Sequence, residues 1–417
     1  MKYINRIVED DLKEKLSASG AVLIKGPKAC GKTATANQFA KSILEMDRDQ
    51  QVPIIMATNP QLLLAGDTPR LIDEWQIYPE IWNYVRHEVD NRKAKGQFLL
   101  TGSANPSDDA KLHSGAGRFT IVQMDTLSWQ ELGFSSGLVK MSDLLEKQLP
   151  DFYEPGVSLD FIIDKILIGG WPALINANQK NAVKINAGYV DLLCEVDMSR
   201  TSGVKRDPFK VRSLLRSIAR NTATLVDNKT LERDVKTFDN NEVSRNTITA
   251  YLDALSRLMI LFEQPAFNPH IRSSASLRRS PKRHLCDTSL AAAALGLDEG
   301  SLFKDLKYTG FLFESLATHE LNVYAKANDA SVFHYNDSYG LEIDTIVQKR
   351  NGNYAAFEIK LGAGFIEQAA KNLIKFASSI DVTKSNLPQS LNIITGTGMS
   401  HRRPDGINVI SLASLGK

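Results

Sequence analysis

Gly26-Pro27-Lys28-Ala29-Cys30-Gly31-Lys32-Thr33 satisfies in full the phosphate-gripping pattern G-x-x-x-x-G-K-[ST]. Its surroundings decide whether the pattern carries meaning. Ala21-Val22-Leu23-Ile24 ahead of it is a short apolar run suited to a buried parallel strand. Thr33 to Leu44 reads as a helix, with Ala34, Ala36, Phe39, Ala40 and Ile43 on one side. Strand, glycine loop and helix form the setting in which the pattern works. Loop N–H groups would cradle a β-phosphate there, Lys32 would set a point charge at the β/γ oxygens, and the Thr33 hydroxyl would ligate Mg²⁺. Every residue from Gly26 to Thr33 is thus a candidate nucleotide contact.

A nucleotide grip becomes a hydrolase only with an acid on a neighbouring strand and a group that orients water. Pro69-Arg70-Leu71-Ile72-Asp73-Glu74-Trp75 supplies that pair. Asp73 would order the metal shell and Glu74 would polarise the attacking water. Pro79 to Asn91 resembles a helix with proline in its first turn, and Gln97 to Thr101 another buried strand. That strand ends in Thr101-Gly102-Ser103, where Thr101 and Ser103 are candidate sensors of the γ-phosphate. His113-Ser114-Gly115-Ala116-Gly117-Arg118 is a glycine-hinged loop suited to delivering the Arg118 guanidinium to phosphate charge, in its own subunit or a neighbour's. Met124 to Leu132 reads as a strand entering a helix capped by Ser128, with Glu131 three residues on.

The totals set bounds on the rest. With 417 residues, the chain has material for about two to four domains. A 43% hydrophobic and 24% charged composition is that of ordinary globular protein. Net charge is +2, so a nucleic-acid surface must be local. Cys30, Cys194 and Cys286 have neither disulfide nor zinc spacing, which suits a reducing compartment. The opening Met1 to Asn5 runs into Glu9-Asp10-Asp11 without a signal-peptide core, and no apolar run nears the ~18 residues of a membrane span. A soluble, cytoplasmic protein with no membrane partner is expected.

Residues from about 136 to 205 read as a helical connector carrying Gly169-Gly170-Trp171-Pro172. Beyond it come three short helices, Pro208 to Arg220, Thr230 to Thr237 and one beginning at Ser244, followed by the β-like Met259-Ile260-Leu261-Phe262. That succession suggests a winged helix-turn-helix. Arg245, Asn246 and Thr249 would then face outward on a recognition helix. Arg272, Arg278, Arg279, Lys282 and Arg283 would hold phosphates nearby.

In the last third, Gly340 to Val347 and Ala356 to Leu361 alternate apolar and polar residues around Asn351-Gly352. Putting Leu341, Ile343 and Val347 on one face with Phe357, Ile359 and Leu361 requires odd residues to oppose odd ones. A three-residue loop Arg350-Asn351-Gly352 with Gly352 left-handed meets that requirement. Asp344 then opposes Glu358, and Glu342 opposes Lys360. Two carboxylates so placed could share a hard cation beside a lysine, the D…E-x-K arrangement of the PD-(D/E)XK nuclease-like fold. Glu314, on the helix Phe311 to Leu321, is the candidate further acid. The opposing reading of these charges is a salt-bridged, solvated sheet face.

These motifs together, with LIDEWQ at 71–76, LLTGSA at 99–104, HSGAGR at 113–118, GGWP at 169–172, GFLFES at 310–315 and FEIKLG at 357–362, resemble a known family. It is that of prokaryotic AAA-type ATPases with a conserved C-terminal domain of unknown function. The resemblance implies an α/β fold: an ATP-binding P-loop domain (1–135), a helical linker (136–205), a winged helix (206–285) and a nuclease-like domain (286–417). Cys30 departs from the small aliphatic residue or serine more usual before Gly31. The function expected is a Mg²⁺-dependent ATPase whose nucleotide state moves the C-terminal half on or near DNA. The alternative is an ATP-driven switch that binds a protein partner, with an inert nuclease-like domain. A homo-oligomer is compatible with either.

Overall fold

Alternation along β1 (Ala21–Lys25) feeds two cores at once, because successive side chains of a strand point to opposite faces. Ala21 and Leu23 pack with Ile72, Phe98, Leu100, Trp75 and Trp82. Val22 and Ile24 pack with Leu71, Leu99 and Val122, and with Leu12 and Leu16 of the helix Glu9–Ala18. The computed structural model describes residues 2–102, 114–146, 152–200, 206–239, 243–269 and 280–417. Its contacts group the chain into two units. One is Met1–Thr126 with Val196–Lys205 and Asp253–Ile260; the other is Leu127–Glu195 with Arg206–Leu252 and Leu261–Lys417. Most of the three stretches expected as separate domains after residue 135 therefore falls within one unit.

The first unit is built on β1, β2 (Ser42–Glu45), β3 (Arg70–Asp73), β4 (Phe98–Gly102) and β5 (Phe119–Gln123). All pair in parallel, in the order β2-β3-β4-β1-β5. The glycine loop leaves the carboxyl end of β1, and β4 separates it from β3, which carries Asp73. The helix expected over Thr33–Leu44 stops early, at Lys32–Ala36. Ile43-Leu44 serves a strand as well as a helix, and the ladder from Ser42–Arg70 to Glu45–Asp73 claims it for β2. Phe39 and Ala40 still pack on the core.

In the second unit, Ser128 and Glu131 form the expected reciprocal bonds, Glu131 Oε2 accepting from Ser128 N at 2.8 Å and Glu131 N donating to Ser128 Oγ at 3.3 Å. The segment closes as a turn, without the helix anticipated there. Gly169 and Gly170 are required by close packing. A Cβ on Gly169 (φ +78°) would fall 2.3 Å from Asp287 Oδ1, and one on Gly170 would fall 2.2 Å from Leu127 O.

The strands of this unit are β6 (Val139–Lys140), β7 (Glu154–Pro155), β8 (Leu261–Gln264), β9 (Lys282–Leu285), β10 (Ala330–Asn336), β11 (Glu342–Lys349), β12 (Tyr354–Lys360), β13 (Ser390–Thr395), β14 (Met399–Arg402), β15 (Asn408–Ser411) and β16 (Leu415–Gly416). Helices Pro208–Arg220, Asn228–Asp239 and Arg245–Arg257 precede the antiparallel ribbon β8–β9. A seven-stranded sheet follows, ordered β10-β11-β12-β13-β15-β14-β7. Its β11–β12 pairing runs Thr345–Phe357, Val347–Ala355 and Gln348–Tyr354, odd against odd and even against even. Gly352 has φ +89°, and Lys349 N donates to Asn353 O at 2.8 Å around a three-residue loop. Neither face of this hairpin is solvated. Ile346, Tyr354 and Ala356 pack with Ala369, Leu373 and Phe376 of the helix Ile366–Ser379, while the helix Leu306–Lys326 also lies on β10 to β12.

Candidate functional site

The loop between Lys25 and Lys32 is held open by its backbone. Ala29 and Gly31 adopt left-handed conformations (φ +67° and +100°), and Cys30 N donates to Pro27 O at 3.3 Å. Gly26 admits no side chain, since a Cβ there would lie 2.4 Å from Met124 O and 2.9 Å from Cys30 Sγ. Cys30 itself is fully buried and burial pushes its thiol up, so it is not a reactive thiolate. Lys28 is exposed and pairs with Asp197 at 3.2 Å.

Lys32 is buried, its Nζ donating to Gly26 O at 3.0 Å and Pro27 O at 2.9 Å. Both acceptors are neutral carbonyls of the loop. Thr33 Oγ1 donates to Asp73 Oδ1 at 2.9 Å, and the buried Thr101 hydroxyl donates to the same oxygen. The sheet register explains the convergence: Asp73 stands opposite Thr101, and Thr101 opposite Ile24, all at carboxyl ends. Glu74 follows in a left-handed conformation (φ +54°) that turns the chain off β3, and Gln76 Nε2 donates to its carboxylate. The Gln76 carbonyl oxygen is buried, has no hydrogen-bond partner among the described residues, and lies against Gly102, where a Cβ would approach it to 2.4 Å. Gln76 thus links the acid after β3 to the end of β4. The sequence reading missed it, although it stands two positions from Glu74.

Arg118 is placed differently. It stands at the amino end of β5, its carbonyl bonded to Ala21 N at 3.1 Å, and Nε pairs with both oxygens of Asp90 at 2.7 and 3.0 Å. Five residues of β1, about 16 Å of strand, separate that end from its own phosphate loop. Ser103, with Arg272, Arg278, Arg279 and His113, lies outside the described residues. These features define a parallel α/β nucleotide-binding fold with a phosphate loop after its first strand.

A second cluster forms in the other unit, where Lys282 was expected to hold phosphate with Arg283. Neither is available for that: Arg283 is buried against Glu263 (2.9 Å), Val226 O (2.8 Å) and Asn228 (2.9 Å). Lys282, 1% exposed, meets Glu314 Oε1 at 2.8 Å, Glu342 Oε1 at 2.8 Å and Asp344 Oδ1 at 3.5 Å. Lys360 meets Asp344 Oδ2 at 2.9 Å and Glu358 Oε2 at 2.6 Å. Asp344 also accepts from Ile359 N at 2.8 Å, and Glu358 from Asn372 at 3.3 Å. Glu314, Asp344, Glu358 and Lys360 are therefore brought together, but with a second lysine among them. Glu342, placed opposite Lys360 by the expected register, pairs with Lys282. Among the described residues, no group of three or more His, Cys, Asp or Glu is placed to hold a metal ion.

Electrostatics follow from this packing. Burial, then the neighbouring Asp344, raises the Glu314 carboxyl to about 7 and the Glu358 carboxyl to about 8. Burial also acts to raise Asp344, but Lys360, Lys282 and the Ile359 N–H outweigh it and hold that carboxyl below its ordinary value. Burial opposes charge on both lysines, and the surrounding carboxylates overcome it and raise them. Two fixed ammonium groups thus stand among four carboxyl groups and offset part of their charge.

Residues 18–133 match the family model of an AAA domain, residues 160–301 a domain of unknown function (DUF8612), and residues 309–415 another (DUF4143). The AAA match supports ATP binding by the first unit. Uncharacterised proteins of Mycobacterium bovis and Mycobacterium tuberculosis are each 25% identical over 355 residues, 84% of this chain and 72% of theirs. A solved signal transduction ATPase with numerous domains and a tetratricopeptide repeat sensor, from Pyrococcus horikoshii, aligns at 12% identity and a TM-score of 0.22. That alignment covers 78% of this chain and about half (49%) of the other. No helix among the described residues is long and apolar enough to cross a membrane.

Proposed function

We propose that this chain is a Mg²⁺-dependent ATPase whose nucleotide state controls its C-terminal half. One observation carries the reading: Lys32, Thr33, Asp73 and Thr101 converge at the carboxyl end of one parallel sheet, with Glu74 one residue beyond. The residues fit a magnesium nucleotide, because the loop admits no side chain at Gly26 and Lys32 rests only on carbonyls that it can leave. When bound, Mg²⁺ would offset the negative charge that develops on the phosphates. Thr33 would exchange its bond to Asp73 for the metal, with Asp73 ordering the metal's water shell. Lys32 would swing from Gly26 O and Pro27 O to phosphate. Glu74, released from Gln76, would orient the attacking water, and Thr101 would report the γ-phosphate. Arg118 lies at the far end of its own sheet, so any contribution to phosphate would be made to a neighbouring copy.

For the C-terminal half, the buried lysine among the acids favours a PD-(D/E)XK-like domain that does not cut, as in the alternative of an ATP-driven switch. A DNA-directed reading draws on a different observation. Arg245, Asn246 and Thr249 are exposed at the start of the third helix, the position of a recognition helix in a winged-helix arrangement.

Purified wild type should hydrolyse ATP only with Mg²⁺. Lys32→Ala should abolish turnover, and Glu74→Gln should retain ATP without cleaving it. Normal hydrolysis by both variants would remove the assigned site. Binding to duplex DNA that weakens steeply with salt and drops in Arg245→Ala would favour the DNA reading over the switch.

A further inference from the structure

We propose that Lys282 is a tethered counter-ion, standing where the acid cluster would otherwise draw a divalent cation, so that the β8–β9 ribbon keeps this site closed to metal. The inference rests on reading the acids as a nuclease-type cluster. An ammonium group has three donors and no acceptor. Here it meets three carboxylates from two elements, Glu314 from the helix Leu306–Lys326 and Glu342 and Asp344 from β11. Glu314 accepts a hydrogen bond at 2.8 Å, while Glu342 and Asp344 complete the ion pairing at 2.8 and 3.5 Å. The side chain is 1% exposed, which leaves no room for hydrating water to compete. A hard cation asks for the same ligands, carboxylate oxygens gathered around one point. The lysine and the metal therefore exclude each other by charge and by space.

The ribbon that delivers Lys282 is itself fastened to the same sheet. Gln264, opposite Lys282 on β8, donates from Nε2 to Phe333 O at 2.9 Å, Asp344 O at 3.1 Å and Thr345 Oγ1 at 3.2 Å. His284, two residues along β9, lies 3.1 Å from Ser315 Oγ through Nδ1 and 3.3 Å from Gln264 Oε1 through Nε2. Lys360 cannot stand in for Lys282, because it is already engaged by Asp344 and Glu358. Opening the cluster would require the ribbon to leave these bonds.

Mn²⁺ alone, without nucleotide, tests this on the full chain by calorimetric titration or by the loss of its free electron-resonance signal. Wild type and Asp344→Asn should take up the same amount. Lys282→Met, similar in volume but uncharged, should gain one saturable Mn²⁺ per chain, tighter than any wild-type uptake by a factor of about ten or more. The double variant Lys282→Met with Asp344→Asn should lose it again. Contributions from the phosphate loop cancel, since the variants differ only in the second unit. A folded Lys282→Met that gains no Mn²⁺ would overturn the proposal. So would wild-type uptake that Asp344→Asn removes, and this arm decides the matter even if Lys282→Met does not fold. Metal-loaded Lys282→Met that leaves DNA and RNA uncut would end the nuclease-type reading while leaving the counter-ion in place. Loss of ATP hydrolysis in wild type would instead bear on the ATPase alone.

Discussion

Lys32 and Lys282 are both buried lysines in polar surroundings, yet their partners make them opposites. Lys32 rests on two backbone carbonyls, which carry no net charge and lose little when it leaves. Lys282 meets three carboxylates, of which Glu314 would be left buried without a cation of its own and Asp344 would keep only Lys360. A lysine on carbonyls is a ligand waiting for an anion. One on carboxylates has already found its counter-charge, and its site is closed. The chemistry of a buried lysine is therefore read from its acceptors, not from its burial.

The largest break between the two should appear when each is truncated. Lys32→Ala should cost on the order of a hundred- to a thousandfold in ATP turnover, with a stability loss of about 1 kcal/mol or less in thermal or urea unfolding. Lys282→Ala should do the reverse. Unfolding should show a loss of about 3–5 kcal/mol, the usual penalty for orphaning buried charge, and Asp344→Asn added to it should recover part of that loss. Equal stability losses at the two lysines would erase the distinction.

The contrast also explains what could be read from the chain. The hairpin register was legible because a three-residue loop with left-handed Gly352 fixes the pairing parity, although both faces are buried and no single apolar face of Val347, Phe357 and Ile359 forms. The candidate nucleotide residues could be picked out because they are contiguous or lie at the ends of apolar runs, where the parallel register gathers Asp73 and Thr101. Lys282 could not. Its nearest partner in sequence, Glu314, lies 32 residues on, and beside Arg278, Arg279 and Arg283 it reads as one more basic residue of a loop. Periodicity reports which face a residue occupies, and says nothing of which distant charge will meet it there. The overlong helix after Thr33 failed for a related reason: Ile43 and Leu44 fit either period, and pairing with β3 decided between them.

A smaller effect sharpens the nucleotide side. Gln76 holds Glu74 through a single hydrogen bond, worth about 0.5–1.5 kcal/mol net. Gln76→Ala should therefore raise kcat for ATP by roughly two- to tenfold with KM little changed, because Glu74 no longer has to be released. A lower kcat with ATP binding intact would show that Gln76 positions Glu74 for the reaction and does not restrain it.

The smallest effect concerns the ribbon that carries Lys282. Burial, then the Lys282 charge and His334, pushes the His284 imidazole down to about 3, so it stays neutral in the fold. The unfolded chain protonates this histidine near its ordinary value of about 6.5. Below that pH the unfolded state binds more protons than the native one, and stability falls as pH falls. His284 thus contributes stability that is fully present above the ordinary imidazole value and is lost progressively toward the folded one. His284→Gln keeps polar contacts to Ser315 and Gln264 within reach but cannot titrate. Its melting temperature should fall less than that of wild type between pH 7 and pH 4.5. Parallel falls in the two proteins would mean that the ribbon and its lysine are held by packing that does not sense this ring.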